Sequence, residues 1–222
     1  MLTNVVGDLL PSALGVALSP VPIIAIVLVL GSPRARSQGT AFAVGWILGL
    51  VVVSVAVVLV AGANEPPDEP SAVVGWLKIA IGGLFLALAA KQWQSRPVPG
   101  SEAATPAWMD AIDTMSAPRT LLVGAALSGL NPKNLALTLA AAATIGQAAL
   151  SGSSTAVAIG VFVVVGSLTV AGPVVVSLLA PERSARPLAS IKEFMSAHNA
   201  AIMMIVLLLL GAKLLGNGLA AV

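Results

Sequence analysis

Residues 14–22 read LGVALSPVP, and residues 123–134 read VGAALSGLNPKN. The two stretches open alike, Leu14-Gly-Val-Ala-Leu-Ser19 against Val123-Gly-Ala-Ala-Leu-Ser128, at an offset of 109 in a chain of 222 residues. Each then runs into proline, Pro20 and Pro22 in the first and Pro132 in the second. Proline lacks the backbone N–H and its ring clashes with the preceding turn, so both places predict a break in a helix. The correspondence continues in order. Ala41-Phe-Ala-Val-Gly45 pairs with Ala156-Val-Ala-Ile-Gly160, and Leu88-Ala-Ala-Lys91 with Leu210-Gly-Ala-Lys213. Each match is weak in so Ala- and Val-rich a chain, but their shared order indicates an internal repeat.

Around these stretches the chain is apolar over lengths that only a membrane explains. It is 58% apolar and 9% charged, with a mean hydropathy of +1.00. Soluble domains carry about 45–50% apolar and about 25% charged residues. A helix needs about 20 apolar residues to cross the hydrocarbon core. Six segments qualify: Val5–Leu30, Thr40–Gly62, Ala72–Lys91, Pro118–Thr144, Thr155–Ala180 and His198–Asn217. They are too long and too evenly apolar for the alternating strands of a barrel. The expected fold is an all-α integral membrane protein of six transmembrane helices, with helices one and four broken. Three helices per repeat force the halves into opposite polarity, the inverted-repeat plan of many secondary transporters. The predicted divisions are 1–91 for the first repeat, 92–117 for a loop and 118–222 for the second repeat.

Cations mark one side. Arg34 and Arg36 lie on the first connection, Arg96 on the third, and Arg183, Arg186 and Lys192 on the fifth. The second connection has Glu65, Asp68 and Glu69 without a cation, and the fourth has no charge. The positive-inside rule then places the odd loops in the cytoplasm and both termini outside the plasma membrane. In the long loop, Trp108, Ile112 and Met115 recur at helical spacing, which predicts a short helix in the interface over Pro106–Met115. Trp108 would sit at headgroup depth, with Arg119 just beyond.

The chemistry gathers at the breaks. Lys133 falls midway along the 27-residue fourth segment, about 20 Å from either end at 1.5 Å per residue. That is too far to snorkel, and intramembrane charges usually face the bundle interior and act there. Asn131 and Asn134 flank it with amide donors and acceptors. The candidate substrate-binding set is Lys133, Asn131, Asn134, Pro132 and Ser128 from the second break, with Ser19, Pro20 and Pro22 from the first. Exposed N–H groups at half-helix starts would add anion donors. Lys78, Lys91 and Lys213 lie near enough to helix ends to serve as anchors, and Gly45 with Gly49 forms a GxxxG pair suited to close packing. No cysteine and a single histidine exclude thiolate chemistry and Cys/His metal sites. No carboxylate lies mid-helix to meet a cation, and no nucleophile–base set can be assembled. Neither an enzyme nor a nucleic-acid partner is expected, and no cofactor or metal.

The Trp108–Met115 stretch, Pro118-Arg119 and then Leu127-Ser-Gly-Leu-Asn-Pro-Lys-Asn134, together with Pro20 and Pro22, resemble the GAP family of small actinobacterial membrane proteins. These are the glycolipid- or sulfolipid-addressing proteins, a branch of the lysine exporter superfamily. The resemblance implies six helices in two inverted triplets and a part in moving envelope glycolipids towards the cell surface. It implies a membrane lipid or glycolipid substrate, and a homodimer or a place in a lipid-synthesis or export complex. The metal-handling branches carry acidic motifs at the breaks, which this chain lacks. The expected function is transport of an anionic or polar glycolipid, its headgroup met at Lys133. The alternatives are export of a small soluble solute such as an amino acid, and a non-transporting partner of a lipid-export complex.

Overall fold

The computed structural model describes residues 1–62, 72–94, 115–148 and 150–220. Trp108 and nearly all of the expected interfacial helix lie outside the described residues. Eight helices are found among those described and no strand: α1 Leu2–Ala17, α2 Pro20–Gly31, α3 Ala35–Gly62, α4 Ala72–Gln94, α5 Ala117–Gly129, α6 Pro132–Gln147, α7 Gly152–Leu179 and α8 Pro181–Leu219. Membrane-spanning length and apolarity are met by Ala35–Val60 in α3, by α7 and by Ala200–Leu219 in α8. The pair α1 and α2, bent by 53°, makes a fourth. The chain is an all-helical, multi-pass membrane protein.

Both predicted breaks are present. The first long apolar segment is α1 and α2, parted at Leu18–Ser19, and the fourth is α5 and α6, parted at Leu130–Asn131. Two connections differ from expectation. The polar stretch 181–197, read as a loop, is the first part of α8, and the loop after α2 shrinks to Ser32–Arg34. Hydropathy reports where a chain leaves hydrocarbon, and a helix of polar residues can continue beyond that level. Pro181 stands at the start of α8, where its missing N–H costs nothing.

The described chain divides into two compact units. The first comprises Met1–Asn64 and Thr105–Phe194, the second Glu65–Ala104 and Met195–Val222, so each draws on both halves of the sequence. In the first unit, α3 packs most extensively on α5, and α1 packs on α7. One stripe of α3, Gln38, Phe42, Trp46, Leu50 and Ser54, is buried, while Leu48, Val52, Val55 and Leu59 face outward as lipid contacts would. The approach of α3 to α5 is set by glycine. A Cβ on Gly45 would strike the Leu121 carbonyl, and one on Gly124 the Phe42 carbonyl. Gly49 lies against Ser128 in the same way, so the GxxxG pair marks a real helix crossing. Gly45 and Gly49 meet residues of rising number along α5, so the two helices run parallel. In the second unit, α4 and the end of α8 pack antiparallel, with a Cβ on Gly82 falling 2.9 Å from the Gly211 carbonyl and one on Gly218 2.8 Å from the Gly75 carbonyl.

Candidate functional site

Both breaks belong to the first unit, and one side chain joins them. Lys133 stands at the second residue of α6, on the break between α5 and α6. Its Nζ donates to the Leu18 carbonyl, at the break between α1 and α2, over 3.5 Å. Lys133 is only 7% exposed. No ion pair to it exists among the described residues, so its charge is met by a helix-end carbonyl alone. Helix C-termini carry partial negative charge, which makes this a reasonable resting place for an ammonium. A second foreign donor serves the same helix end, with Thr169 Oγ1 of α7 donating to the Ala17 carbonyl over 2.6 Å.

The second break is otherwise capped from within, with one amide oxygen left over. Asn131 is the N-cap of α6, its Oδ1 accepting from the Lys133 backbone N–H at 3.1 Å. Asn134 Nδ2 donates to the Leu127 carbonyl of α5 at 2.9 Å, one of the orphan acceptors that every helix end leaves. Thr138 Oγ1 returns to the Asn134 carbonyl at 2.8 Å. The Asn134 side chain is fully buried, yet its Oδ1 has no hydrogen-bond partner among the described residues. Buried amide oxygens rarely stay unpaired.

The first break is differently made. Ser19 is the N-cap of α2 but its hydroxyl caps nothing. The first intrahelical bond of α2 runs from the Ile23 N–H to the Ser19 carbonyl. Two of the positions ahead of it, Pro20 and Pro22, have no N–H to offer. The expected anion-binding helix start is therefore half stripped of donors, and at the second break Pro132 and the capped Lys133 N–H remove two more. The polar capacity of this region rests on side chains, chiefly the Lys133 ammonium.

Six of the eight predicted site residues are buried: Ser19, Pro20, Pro22, Ser128, Lys133 and Asn134. Asn131 is half-buried, and Pro132 and its neighbour Leu130 are exposed. Ser128 spends its hydroxyl on the Ala125 carbonyl at 3.1 Å and faces α3. Arg119 lies apart, exposed in the first turn of α5. Sequence reading missed Thr169, and also a set of buried polar groups without partners among the described residues, Trp46 Nε1, Ser54 Oγ and Ser167 Oγ. Trp46 and Ser54 lie on one i, i+4, i+8 stripe with Gln38 as a further polar member, a periodicity that hydropathy averaging hides. Gln38 is itself buried and donates from Nε2 to the Met115 carbonyl at 2.6 Å while accepting from Ser32 Oγ at 2.5 Å. Among the described residues no three His, Asp or Glu side chains converge as metal ligands would.

A family model for Sap, the sulfolipid-1-addressing protein, matches residues 9–220. No curated protein and no solved structure matches the chain.

Proposed function

Because the chain belongs to the family of Sap, the sulfolipid-1-addressing protein, we propose that it is a transporter moving an anionic or polar glycolipid across or out of the plasma membrane. The single observation that carries the reading is Lys133: a cation 93% removed from solvent, at the meeting point of two helix breaks, held only by a carbonyl over 3.5 Å. An uncompensated intramembrane charge is costly and marks a ligand path more often than a scaffold. A sulfate or phosphate group is a far better partner for an ammonium than a carbonyl is. Substrate would draw Lys133 from Leu18, with Asn134 Oδ1 beside it to accept from a sugar hydroxyl. The reading assigns no catalysis, cofactor or nucleic acid to the chain.

The same reading takes the molecule as six spans in two inverted triplets with both termini outside. In its favour, both breaks fall at repeat-related positions, and the packing is reciprocal. The span after the first break lies on the first half of the second broken pair, and the span after the second break on the first half of the first pair. Whether it works as a homodimer or within an export complex belongs to the same proposal.

The test is lipid translocation in proteoliposomes, using a fluorescent sulfated glycolipid and, in parallel, a radiolabelled amino acid. Lys133→Ala is expected to lose lipid movement while remaining folded, and Lys133→Arg to restore little, since a planar fork replaces a compact ammonium poorly. Amino-acid transport without lipid movement would establish the small-solute reading instead. A stable wild-type protein that moves neither would make it a non-transporting partner.

A further inference from the structure

Helix α2 leaves the first break at Pro20 and ends at Gly31, while α5 begins at Ala117 and ends at the second break. Each is about 18–20 Å long at 1.5 Å per residue. At the breaks the two pairs are joined by Lys133. At their far ends they are joined by another side chain, Gln38 of α3. Gln38 Nε2 donates to the Met115 carbonyl, just ahead of α5, over 2.6 Å. Its Oε1 accepts from Ser32 Oγ, the C-cap residue of α2, over 2.5 Å. The Ser32 hydroxyl also lies 2.8 Å from the Val29 carbonyl of α2. Gln38 is 1% exposed. One buried amide therefore ties the end of α2, the first turn of α3 and the lead into α5.

Inward from Gln38 the same buried stripe of α3 continues through Phe42, Trp46 and Leu50. It ends level with the breaks. A Cβ on Gly166 would lie 3.6 Å from Leu50 Cδ1 and 3.4 Å from Val16 Cγ1, two residues short of Leu18. Gly49, beside Leu50, lies against Ser128, two residues short of Leu130. Gln38 thus stands at the outer end of a packed stripe, about 18 Å from the Lys133 region. Both α2 and α5 pack on α3, and they touch each other only slightly. Between them the stripe is apolar except for Trp46 Nε1, which is buried without a partner among the described residues. Amide hydrogen bonds exchange for bonds to water at small net cost. A glutamine closes such an end reversibly, where an apolar plug would have to expose hydrocarbon to open.

We propose that Gln38 is a latch: its bonds to Ser32 and to the Met115 carbonyl hold α2 and α5 together at one membrane surface, and their release opens the way along α3 to the breaks. The proposal rests on the Lys133 reading only for where a ligand is received. In the latched state a polar group from that surface does not reach Lys133. Once the ends part, the Trp46 N–H lies along its route as a donor that nothing else occupies.

The experiment measures access with single cysteines, since the chain has none of its own. Ser19→Cys places a thiol at the first break, where the serine hydroxyl caps nothing. Ser37→Cys, exposed in the first turn of α3, shows which surface the latch faces. Both are labelled with a membrane-impermeant thiol reagent in right-side-out and in inside-out vesicles. With Gln38 intact, Ser19→Cys should react slowly from the side on which Ser37→Cys reacts fast. Adding Gln38→Ala should speed the Ser19→Cys reaction from that side alone, roughly 5- to 30-fold, the scale of one to two net hydrogen bonds. Ser32→Ala removes one bond of the latch and should give the lower end of that range, which keeps the test open if Gln38→Ala does not fold. Unchanged labelling in a folded variant, or an equal rise from both sides, would overturn the latch. Lys133→Ala transport does not enter the measurement, so the latch and the Lys133 reading can fail separately.

Discussion

The two helix breaks share a sequence pattern and divide the labour between them. The second supplies its own caps: Asn131 serves the start of α6 and Asn134 the end of α5. The first supplies none. Ser19 leaves the start of α2 uncapped, two prolines delete its donors, and the carbonyls of Ala17 and Leu18 are served by Thr169 and Lys133 from helices far along the chain. One break gives and the other receives. The second break supplies its own caps and the first borrows its donors, and the charged group between them is the Lys133 ammonium.

The largest expected effect follows from removing that group. Lys133→Ala takes away the one charge the breaks share, and with it a charged hydrogen bond to the headgroup of about 1.5–3 kcal/mol, while the resting contact it loses, to the Leu18 carbonyl over 3.5 Å, is long and weak. Lipid translocation in vesicles should fall by roughly 10- to 150-fold on that scale, with the melting temperature changing little. A variant that keeps wild-type transport would show that Lys133 merely finishes the end of α1, and the contrast between the breaks would lose its functional meaning.

Next comes the seat of the second break. Gly124→Val places side-chain carbons on the Phe42 carbonyl, and overpacking of this kind costs typically about 1–3 kcal/mol. Thermal unfolding should shift downward, and hydrogen exchange should rise in α5 and α6 before α1. Equal loosening of both breaks would mean that they stand or fall together.

How much of this was open to sequence reading depends on whether a feature resides in one residue or in a pair. Pro20, Pro22, Pro132 and Lys133 each carry a cost in hydrocarbon that is fixed by residue type, so the breaks and the buried cation could be read from single positions. The partner of Lys133 is a backbone carbonyl 115 residues away, and a carbonyl has no letter in the sequence. Thr169 was passed over because a threonine in a long apolar helix ordinarily bonds within its own turn. The polar start of α8 was missed because charge marks the water level and not the end of a helix. The donors expected at the half-helix starts failed for a readable reason, the prolines themselves, which break the helix and remove the N–H groups in one stroke.

Thr169→Val tests the borrowing at the first break. The isosteric change removes the 2.6 Å donor to the Ala17 carbonyl and should cost about 1 kcal/mol, with Thr169→Ser retaining most of it. Guanidinium or thermal unfolding of the three proteins reads this directly. If valine is as stable as threonine, the end of α1 finds its donors elsewhere, and the first break is less dependent than its geometry indicates.

The smallest effect is the most direct comparison of the two breaks. Asn131 and Ser19 occupy equivalent positions, each the N-cap of the half-helix that follows a break, and both are residue types favoured there. Only Asn131 uses its side chain, accepting the Lys133 N–H at 3.1 Å, whereas Ser19 makes no cap bond. Replacing a working cap with alanine costs typically about 1 kcal/mol, so Asn131→Ala should lower stability by about that amount. Ser19 is buried with no capping bond to lose, so Ser19→Ala should cost a few tenths of a kcal/mol at most, on the scale of a cap that contributes nothing. The two caps are linked through Lys133, whose N–H Asn131 accepts and whose Nζ reaches the Leu18 carbonyl beside Ser19, so the double variant should depart from the sum of the two effects. Equal losses from the two single variants would mean that Ser19 caps α2 in the membrane after all, and that the breaks are closer to symmetric than their hydrogen bonds indicate. A greater loss from Ser19→Ala would reverse the order and make the first break the one that supports itself.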